Sequence, residues 1–307
     1  MSRRGWVLFV AMGLIWGVPY LMIKVAVDEL TPATLVMFRT AVAVVILVPL
    51  ALARGQLRPA LVRWRPLLLF TLVEMAIPWF LLSNAERRLS SSLSGLLLAA
   101  VPLVGALIGW ATGGERLGPR RIAGLGIGIL GVAALVGLDL TVDDVPALVQ
   151  VALVAVGYAV GPFVLARYLS DVPGLGVIAA ALLFTAVGYA PVGIAQLPSH
   201  WPSAKVVASV IGLGVLCTAI AFVVFFALID EVGPVRATVI TYVNPAVAVA
   251  LGVILLGEPM TVGIAVGFAL VLGGSVLATW RGGPAEPAAG SAAQLATTGA
   301  AAPDAAS

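Results

Sequence analysis

The sequence repeats itself at a separation of 143 residues, and the residues that match are among its rarest. Prolines, charged residues and glycines coincide in the pairs Pro19 and Pro162, Lys24 and Arg167, Asp28 and Asp171, Pro102 and Pro245, Glu115 and Glu258, Gly109 and Gly252, Gly114 and Gly257, Gly124 and Gly267, and Gly131 and Gly274. Glycine matches alone would mean little in a chain with 34 glycines. The chain has only 14 acidic residues, however, and two pairs of them match at the same offset as two pairs of prolines. The chain therefore contains two copies of one unit.

The composition indicates that both copies lie in a lipid bilayer. Hydrophobic residues make up 61% of the chain, charged residues 10%, and the mean hydropathy is +1.13. A soluble domain would be roughly half apolar and a quarter charged. Apolar segments bounded by charged residues, Pro and Gly predict ten transmembrane helices near residues 5–27, 32–53, 66–86, 92–113, 120–138, 147–168, 174–196, 206–229, 235–256 and 262–280.

Five spans in each copy have a topological consequence, because an odd number of spans inserts the second copy upside down. We therefore predict an all-α membrane protein whose ten transmembrane helices form two inverted five-helix repeats, residues 5–138 and 147–280. The repeats should superpose after rotation about an axis in the membrane plane, as in many secondary transporters. Residues 281–307, rich in Ala, Pro, Gly, Ser and Thr, are predicted to be a disordered tail.

The distribution of basic residues predicts the orientation. With the N-terminus inside, twelve of the 17 Lys and Arg residues lie on that side, four on the other side and Arg39 within a span. The positive-inside rule then favours a multi-pass protein of the cytoplasmic (inner) membrane with both termini in the cytoplasm. The loops at 139–144 and 199–205 should face outward.

Several short stretches resemble the EamA-type units of the drug/metabolite transporter superfamily, and together they cover residues 5–280. The opening of the unit is carried by Trp16-Gly17, Lys24, Pro32 and Phe38-Arg39, and its closing by Ala100-Val101-Pro102, Gly114-Glu115-Arg116-Leu117, Asn244-Pro245 and Gly257-Glu258-Pro259. The resemblance implies a ten-helix inner-membrane carrier, and many such proteins export amino acids, related metabolites or drugs, often with the proton gradient. The second copy departs from the pattern, with Ala159-Val160 in place of Trp16-Gly17 and Leu182 in place of Arg39.

Three charged residues within or at the end of spans are candidate substrate or coupling residues. Glu74 lies near the middle of the third span, where an acid should face a cavity or a partner, and Arg39 on the second span is its natural partner. Lys24, near the outer end of the first span, can pair with Asp28 four residues later. The alternatives are a fixed structural ion pair for the first two and a lysine that snorkels to the interface for the third. Glu115 and Glu258 are better explained by helix capping or loop pairing.

Prolines and polar aromatic residues nominate the helices that line a central cavity. We predict helix breaks at Pro19, Pro102, Pro162 and Pro245, and Pro78 also lies inside a span. The candidate cavity-lining residues on these helices are Trp16, Tyr20, Trp79, Tyr158, Tyr242 and Asn244. Ordinary helix packing is the alternative for each of them. Gly126, Gly128 and Gly131 form a G-x-G-x-x-G pattern, but its place within a span favours helix packing over nucleotide binding.

These features together favour a secondary active transporter that exports a small organic metabolite, amino acid or drug, with proton coupling as one option. An intramembrane enzyme and a non-transporting membrane scaffold are the alternatives. A single cysteine, Cys217, and a single histidine, His200, offer little for catalysis or metal binding, and no ATP-binding loop is present. We expect no enzymatic activity, no cofactor, no metal and no nucleic-acid partner; the expected partners are a small-molecule substrate and the lipid bilayer, and a homodimer is left open.

Overall fold

The computed structural model describes residues 2–112, 118–139, 142–233 and 237–279, which fold into helices joined by short loops. Within these residues, ten helices are long and apolar enough to cross a membrane. They are α1 (Arg3–Ala26), α2 (Pro32–Ala53), α3 (Trp64–Ala85), α4 (Ser91–Ala111), α5 (Pro119–Asp139), α6 (Val145–Tyr168), α7 (Gly174–Ala195), α8 (Ala204–Val232), α9 (Val239–Leu256) and α10 (Val262–Thr279). A short helix, Leu57–Val62, precedes α3, and a 3-10 turn, Val142–Asp144, precedes α6. The prediction of an all-α membrane protein with ten spans is confirmed, while the predicted tail and Glu115 lie outside the described residues.

The ends of several helices follow from local sequence. Side-chain oxygens of Ser2, Thr31 and Ser90 accept hydrogen bonds from backbone N–H groups of the first turns of α1, α2 and α4, which would otherwise lack partners. Gly257 ends α9 with φ +67°, a left-handed conformation that costs glycine little. Along the helices, side chains such as Val45 and Ile254 are about three-quarters exposed, as lipid-facing residues should be.

Helix packing joins the two halves of the chain. Extensive contacts pair α2 with α7, α5 with α10, α4 with α9, α3 with α6 and α1 with α8. If α1 is exchanged with α6, α2 with α7, and so on to α5 with α10, the same five pairs result. The symmetry is the one that two copies of a five-helix unit would produce, and the inverted relation between the copies stays a prediction.

Three of the four predicted helix breaks coincide with interruptions. Helix α1 is interrupted at Val18, before Pro19, and α4 at residues 99–100, before Pro102. Helix α9 starts with a 3-10 segment, Thr238–Tyr242, that ends before Pro245. The prediction for Pro162 is wrong, because α6 is continuous through it. One missing N–H removes a single hydrogen bond while the flanking residues keep helical angles, which membrane helices tolerate.

Two π-helical segments occupy matching positions in the two halves and were not predicted. One spans Leu72–Ala76 in α3 and the other Val215–Ile220 in α8, so that they begin 143 residues apart. In α3, Pro78 has no N–H to bond the carbonyl of Glu74 in α-helical register, and a wider turn relieves this mismatch. Such bulges re-aim the side chains that they carry, and in α3 they carry Glu74.

Glycines hold α5 and α10 at backbone distance. A Cβ at Gly274 would overlap the backbone of Gly128, and one at Gly124 would overlap the backbone of α10 at residues 274–278. Gly131 and Gly267 make equally close contacts across the same pair of helices. The predicted packing role of the glycine pattern is therefore confirmed for Gly128 and Gly131, whereas Gly126 has nothing within 4 Å of an added Cβ.

We expect Gly274→Ala to destabilise the protein by about 1–3 kcal/mol, because the new methyl group forces the two helix backbones apart. The neighbouring Gly273 has nothing within 4 Å of an added Cβ, so Gly273→Ala is a matched control that should change stability by less than about 0.5 kcal/mol. Thermal unfolding of the two purified variants in detergent measures the difference. Equal melting temperatures would contradict this account of the interface.

Candidate substrate site

A buried arginine lies where the two halves of the protein meet. Arg39 of α2 is only 7% exposed. Its Cζ lies 3.7 Å from the ring centroid of Trp79 on α3, and its Nε donates a 3.1 Å hydrogen bond to Oγ1 of Thr218 on α8. A desolvated cation over an indole ring is stabilised by about 2 kcal/mol. The Thr218 hydroxyl in turn donates to the carbonyl of Leu213, 2.7 Å away, so both its hydrogen-bonding roles are used.

Among the described residues, the terminal nitrogens of Arg39 have no hydrogen-bond partner. The bond to Thr218 is the one hydrogen bond that Arg39 makes to these residues, and none of their carboxylates lies within ion-pair distance of it. The polar groups that interact electrostatically with its charge are Tyr20, Glu86, Tyr158 and Cys217. A guanidinium has five N–H donors, and its two terminal nitrogens match the two oxygens of a carboxylate. The geometry leaves that side of Arg39 available to an anionic ligand.

Glu74 forms a second polar centre, on the π-helical segment of α3. Its carboxylate packs on Gly161 of α6, where a Cβ would overlap it, and its Oε2 is buried without a hydrogen-bond partner. Gly157, one turn earlier on α6, lies equally close to the backbone of Val73 on α3, where an added Cβ would overlap the Val73 carbonyl oxygen. Tyr158, between the two glycines, interacts electrostatically with both Glu74 and Arg39. Glycines on α6 thus allow an unpaired acid to lie between two helices from opposite halves.

The expected pairing of Glu74 with Arg39 is wrong. Arg39 points toward α8 and Trp79, whereas Glu74 points toward α6, and no ion pair joins them. Sequence gives the depth of a residue in the membrane, but the direction of its side chain depends on the rotation of each helix. The π-helical turn changes that rotation at Glu74 itself.

Lys24 makes contacts other than those expected. Its Nζ donates to the carbonyls of Glu86 and Leu89, at 2.7 and 2.9 Å, and so fastens α1 to the segment that follows α3. The expected pair with Asp28 does not form, because α1 ends at Ala26 and residue 28 is past its last turn. The Oδ2 atom of Asp28 lies instead 3.9 Å from Nζ of Lys205.

The predicted cavity-lining residues fall into two groups. Trp79 packs on Arg39, and Tyr20 and Tyr158 interact electrostatically with it. The other three make helix–helix contacts elsewhere: Trp16 packs on Phe222 and Phe225 of α8, the Tyr242 hydroxyl bonds Thr279 and Ser275 of α10, and the Asn244 amide donates to the carbonyls of Ile240 and Gly13 when its nitrogen faces them.

Two residues near Arg39 were missed from the sequence. Thr218 is an ordinary residue of an apolar span, and nothing in the sequence marks it as the partner of Arg39. Glu86 stands before two arginines and so resembles a loop residue, yet it is fully buried, and neither of its carboxylate oxygens has a hydrogen-bond partner. A matching acid 143 residues later could have drawn attention to Glu86, but that position is Ile229.

The ten-helix fold with buried charged groups between its halves is that of a multi-pass membrane transporter. The chain belongs to the EamA-like transporter family, which it matches over residues 3–137 and again over residues 145–280. It is 28% identical over 260 residues, 82% of each chain, to the uncharacterized inner membrane transporter YedA of Escherichia coli K12. It is 22% identical over 266 residues, 84% of this chain and 86% of the other, to the uncharacterized transporter YvbV of Bacillus subtilis 168.

A crystal structure described only as that of a protein superposes with a TM-score of 0.65 at 26% identity, covering 91% of this chain and 98% of the other. This similarity extends over nearly the whole of both chains. It supports the same arrangement of helices.

Proposed function

We propose that the protein is a secondary active transporter that exports a small organic metabolite, amino acid or drug. Its substrate would bind between the two halves at Arg39 and gain access from each side of the membrane in turn. Membership of a transporter family supports the class, and the absence of an ATP-binding loop in the sequence favours drive by an ion or substrate gradient.

The observation that carries this proposal is the half-satisfied guanidinium of Arg39. A charge buried in the membrane is costly, and it is retained where it serves a site. Here a donor pair with no partner among the described residues lies on the Trp79 ring, and Tyr20 and Tyr158 interact electrostatically with the same charge. An acidic group on the substrate would pair with Arg39, and the rest of the molecule would pack on the aromatic rings.

Glu74 is proposed as the coupling residue. Its buried, unpaired oxygen can carry a proton in one stage of the cycle and release it in another. Because Arg39 and Glu74 lie apart, the substrate acid and the proton would occupy different places and need not compete for one group.

Transport into proteoliposomes tests the function directly. The purified protein, reconstituted in liposomes, would be offered a panel of labelled amino acids, other organic acids and organic cations, with and without an imposed pH gradient. Saturable flux of an acid-bearing compound, absent from empty liposomes, supports the proposal. Flux of cations alone, unaffected by replacing Arg39, would contradict the role given to that residue.

We further propose that the protein lies in the inner membrane with both termini in the cytoplasm, in line with the description of YedA and with the basic residues near α2 and α3. In intact cells, His200→Cys, in the exposed loop after α7, should react with an impermeant thiol reagent. Arg58→Cys, in the short helix before α3, should react only after the cells are permeabilised. The native Cys217 is buried and should not react in either case. Labelling of Arg58→Cys in intact cells would reverse the orientation.

A further inference from the structure

Polar contacts tie together several segments on the face of the protein that carries the loops after α1, α3, α7 and α9. We call this face the outer face, as the predicted orientation requires, and these contacts the outer closure. Residues 86–92, between α3 and α4, form the centre of this closure. Three other parts of the chain hold them: Lys24 of α1 through two carbonyls, Glu258 of the loop after α9, and the connection before α6, where the Asp143 carbonyl accepts a 2.8 Å bond from Arg88.

Glu258 holds this segment as an external helix cap. Its carboxylate accepts hydrogen bonds from the N–H groups of Ser91 and Ser92, at 2.7 and 2.9 Å, and from the Ser92 hydroxyl. An anion at a helix N-terminus satisfies free N–H groups and complements the helix dipole. The interpretation of Glu258 as a capping residue is thereby confirmed, and the contact joins the second half of the chain to the first.

Beneath this closure lies a group of buried polar atoms with no partners. Both carboxylate oxygens of Glu86 and the hydroxyls of Ser91 and Ser94 make no hydrogen bond, although all three residues are 0% exposed. Buried polar atoms are almost always paired, so unpaired ones concentrated within nine residues indicate a bound species or a changed charge state. A side chain with no exposed surface leaves little room for a ligand, and a proton on the carboxyl group removes the negative charge that would otherwise be buried without a partner.

The charges around Glu86 show what would follow from ionisation. Lys24 and Arg39 attract a negative charge there and Glu258 repels it, while Tyr20 and Tyr158 also interact with the carboxyl group. Burial raises the pKa of the Glu86 carboxyl well above its usual range. An ionised Glu86 would be desolvated, repelled by Glu258 and drawn to the Lys24 ammonium, which now bonds two backbone carbonyls instead.

We propose that Glu86 is a proton-binding site that controls the outer closure: the closed arrangement holds the protonated carboxyl, and loss of the proton draws Lys24 from the carbonyls of Glu86 and Leu89 to the carboxylate and repels Glu258, which loosens residues 86–92. The proposal rests on the alternating access suggested above, and it concerns a second proton, distinct from the one proposed to bind Glu74. The closed state, which buries Glu86, binds the proton more tightly than an open, hydrated state. Alkaline conditions therefore favour opening and acidic conditions favour closure.

Distances between spin labels on the outer face test this without substrate or transport. One label goes on Arg87→Cys, within the segment, and one on His200→Cys, in a Cys217→Ala background, with the protein in lipid nanodiscs from about pH 5 to about pH 9. We expect a single short distance in acid and a growing longer population in alkali. Glu86→Gln, which mimics the protonated form, should stay closed throughout, and Glu86→Asp, which keeps a titratable group, should restore a pH response.

Two controls separate this site from the other acids. Glu74→Gln should keep a pH response, so that the result does not depend on the coupling role proposed for Glu74. Glu29→Gln should keep it as well, because hydrogen bonds from the Ser203 hydroxyl and N–H lower the pKa of Glu29 and leave it ionised in this range. The proposal would be overturned if the distance between the two labels did not change with pH in the protein that keeps Glu86, or if Glu86→Gln showed the same pH response as that protein.

If Glu86→Gln does not fold, infrared spectroscopy of the wild type decides. The carbonyl band of a protonated carboxylic acid should disappear with the same pH midpoint as the short distance, and it should shift in Glu86→Asp. A band that titrates elsewhere, or that Glu86→Asp leaves unmoved, would assign the proton to another residue and overturn the proposal.

Discussion

Replacing Arg39 by Gln is expected to lower the apparent affinity for an acid-bearing substrate by about ten- to a hundredfold. A charge-assisted hydrogen bond contributes about 1.5–3 kcal/mol, and each 1.4 kcal/mol is a factor of ten in binding. Arg39→Lys should restore little of this, because an ammonium cannot bond both oxygens of a carboxylate while it also bonds Thr218 and covers Trp79. The measurement is the concentration dependence of uptake into proteoliposomes.

Thr218→Val provides the matched control for Arg39. It removes the partner of Nε and keeps the charge and the terminal nitrogens, so it should have a smaller effect than Arg39→Gln on the same substrate. A purely structural Arg39 predicts another pattern, in which Arg39→Gln lowers the folded yield and the protein that does fold transports with normal affinity. That pattern would remove Arg39 from the substrate site.

Replacing Glu74 by Gln is expected to abolish stimulation of flux by a pH gradient while leaving membrane insertion intact. The amide keeps the shape of the carboxyl group, and so it fits against Gly161, but it cannot take up and release a proton. Exchange of substrate across the membrane without a gradient should persist, because that process needs no net proton movement. Uptake with an imposed gradient and exchange at equal pH, measured on the same preparation, separate the two processes.

The position of the Glu74 carboxylate can be tested from the other side of the contact. Gly161→Ala places a methyl group where the carboxylate lies, and it should impair gradient-driven flux in the way that Glu74→Gln does. Gly188→Ala, in a position with nothing within 4 Å of the added Cβ, is the control. Gradient stimulation that survives in Glu74→Gln would exclude Glu74 as the coupling residue.

The effects of Arg39 and Glu74 should be independent. The two side chains contact different helices. The change in the free energy of unfolding of the double variant should therefore equal the sum of the changes in the two single variants to within about 0.5 kcal/mol. An ion-paired couple would behave otherwise, since loss of either member would leave the other unpaired and the second replacement would cost little more. A strongly non-additive result would favour a conformation in which the two residues meet.

The sequence by itself determined the features that depend on composition and on spacing along the chain. Ten apolar segments predicted ten spans because a bilayer requires a fixed length of apolar helix, and the helix ends observed lie within a few residues of most predicted ones. The match of Pro102 with Pro245 pointed to equivalent positions, and both follow an interruption in their helices. The importance of an arginine within a span could also be recognised, because lipid makes such a charge costly wherever its helix packs.

Only the tertiary structure decided which side chains meet. The rotation of α2 and α3 directs Arg39 to Thr218 and Glu74 to Gly161, residues that lie 179 and 87 positions away along the chain. The π-helical turn of α3 has a local cause in Pro78, but the matching turn of α8 is followed by Ala221 and has no such cause, and hydropathy indicates neither turn. Glu86 is buried because Lys24, 62 residues earlier, and Glu258, in the other half of the chain, fold the segment after α3 inward. Apolar length is a local property that a span carries alone, whereas burial of a polar group depends on partners that packing supplies.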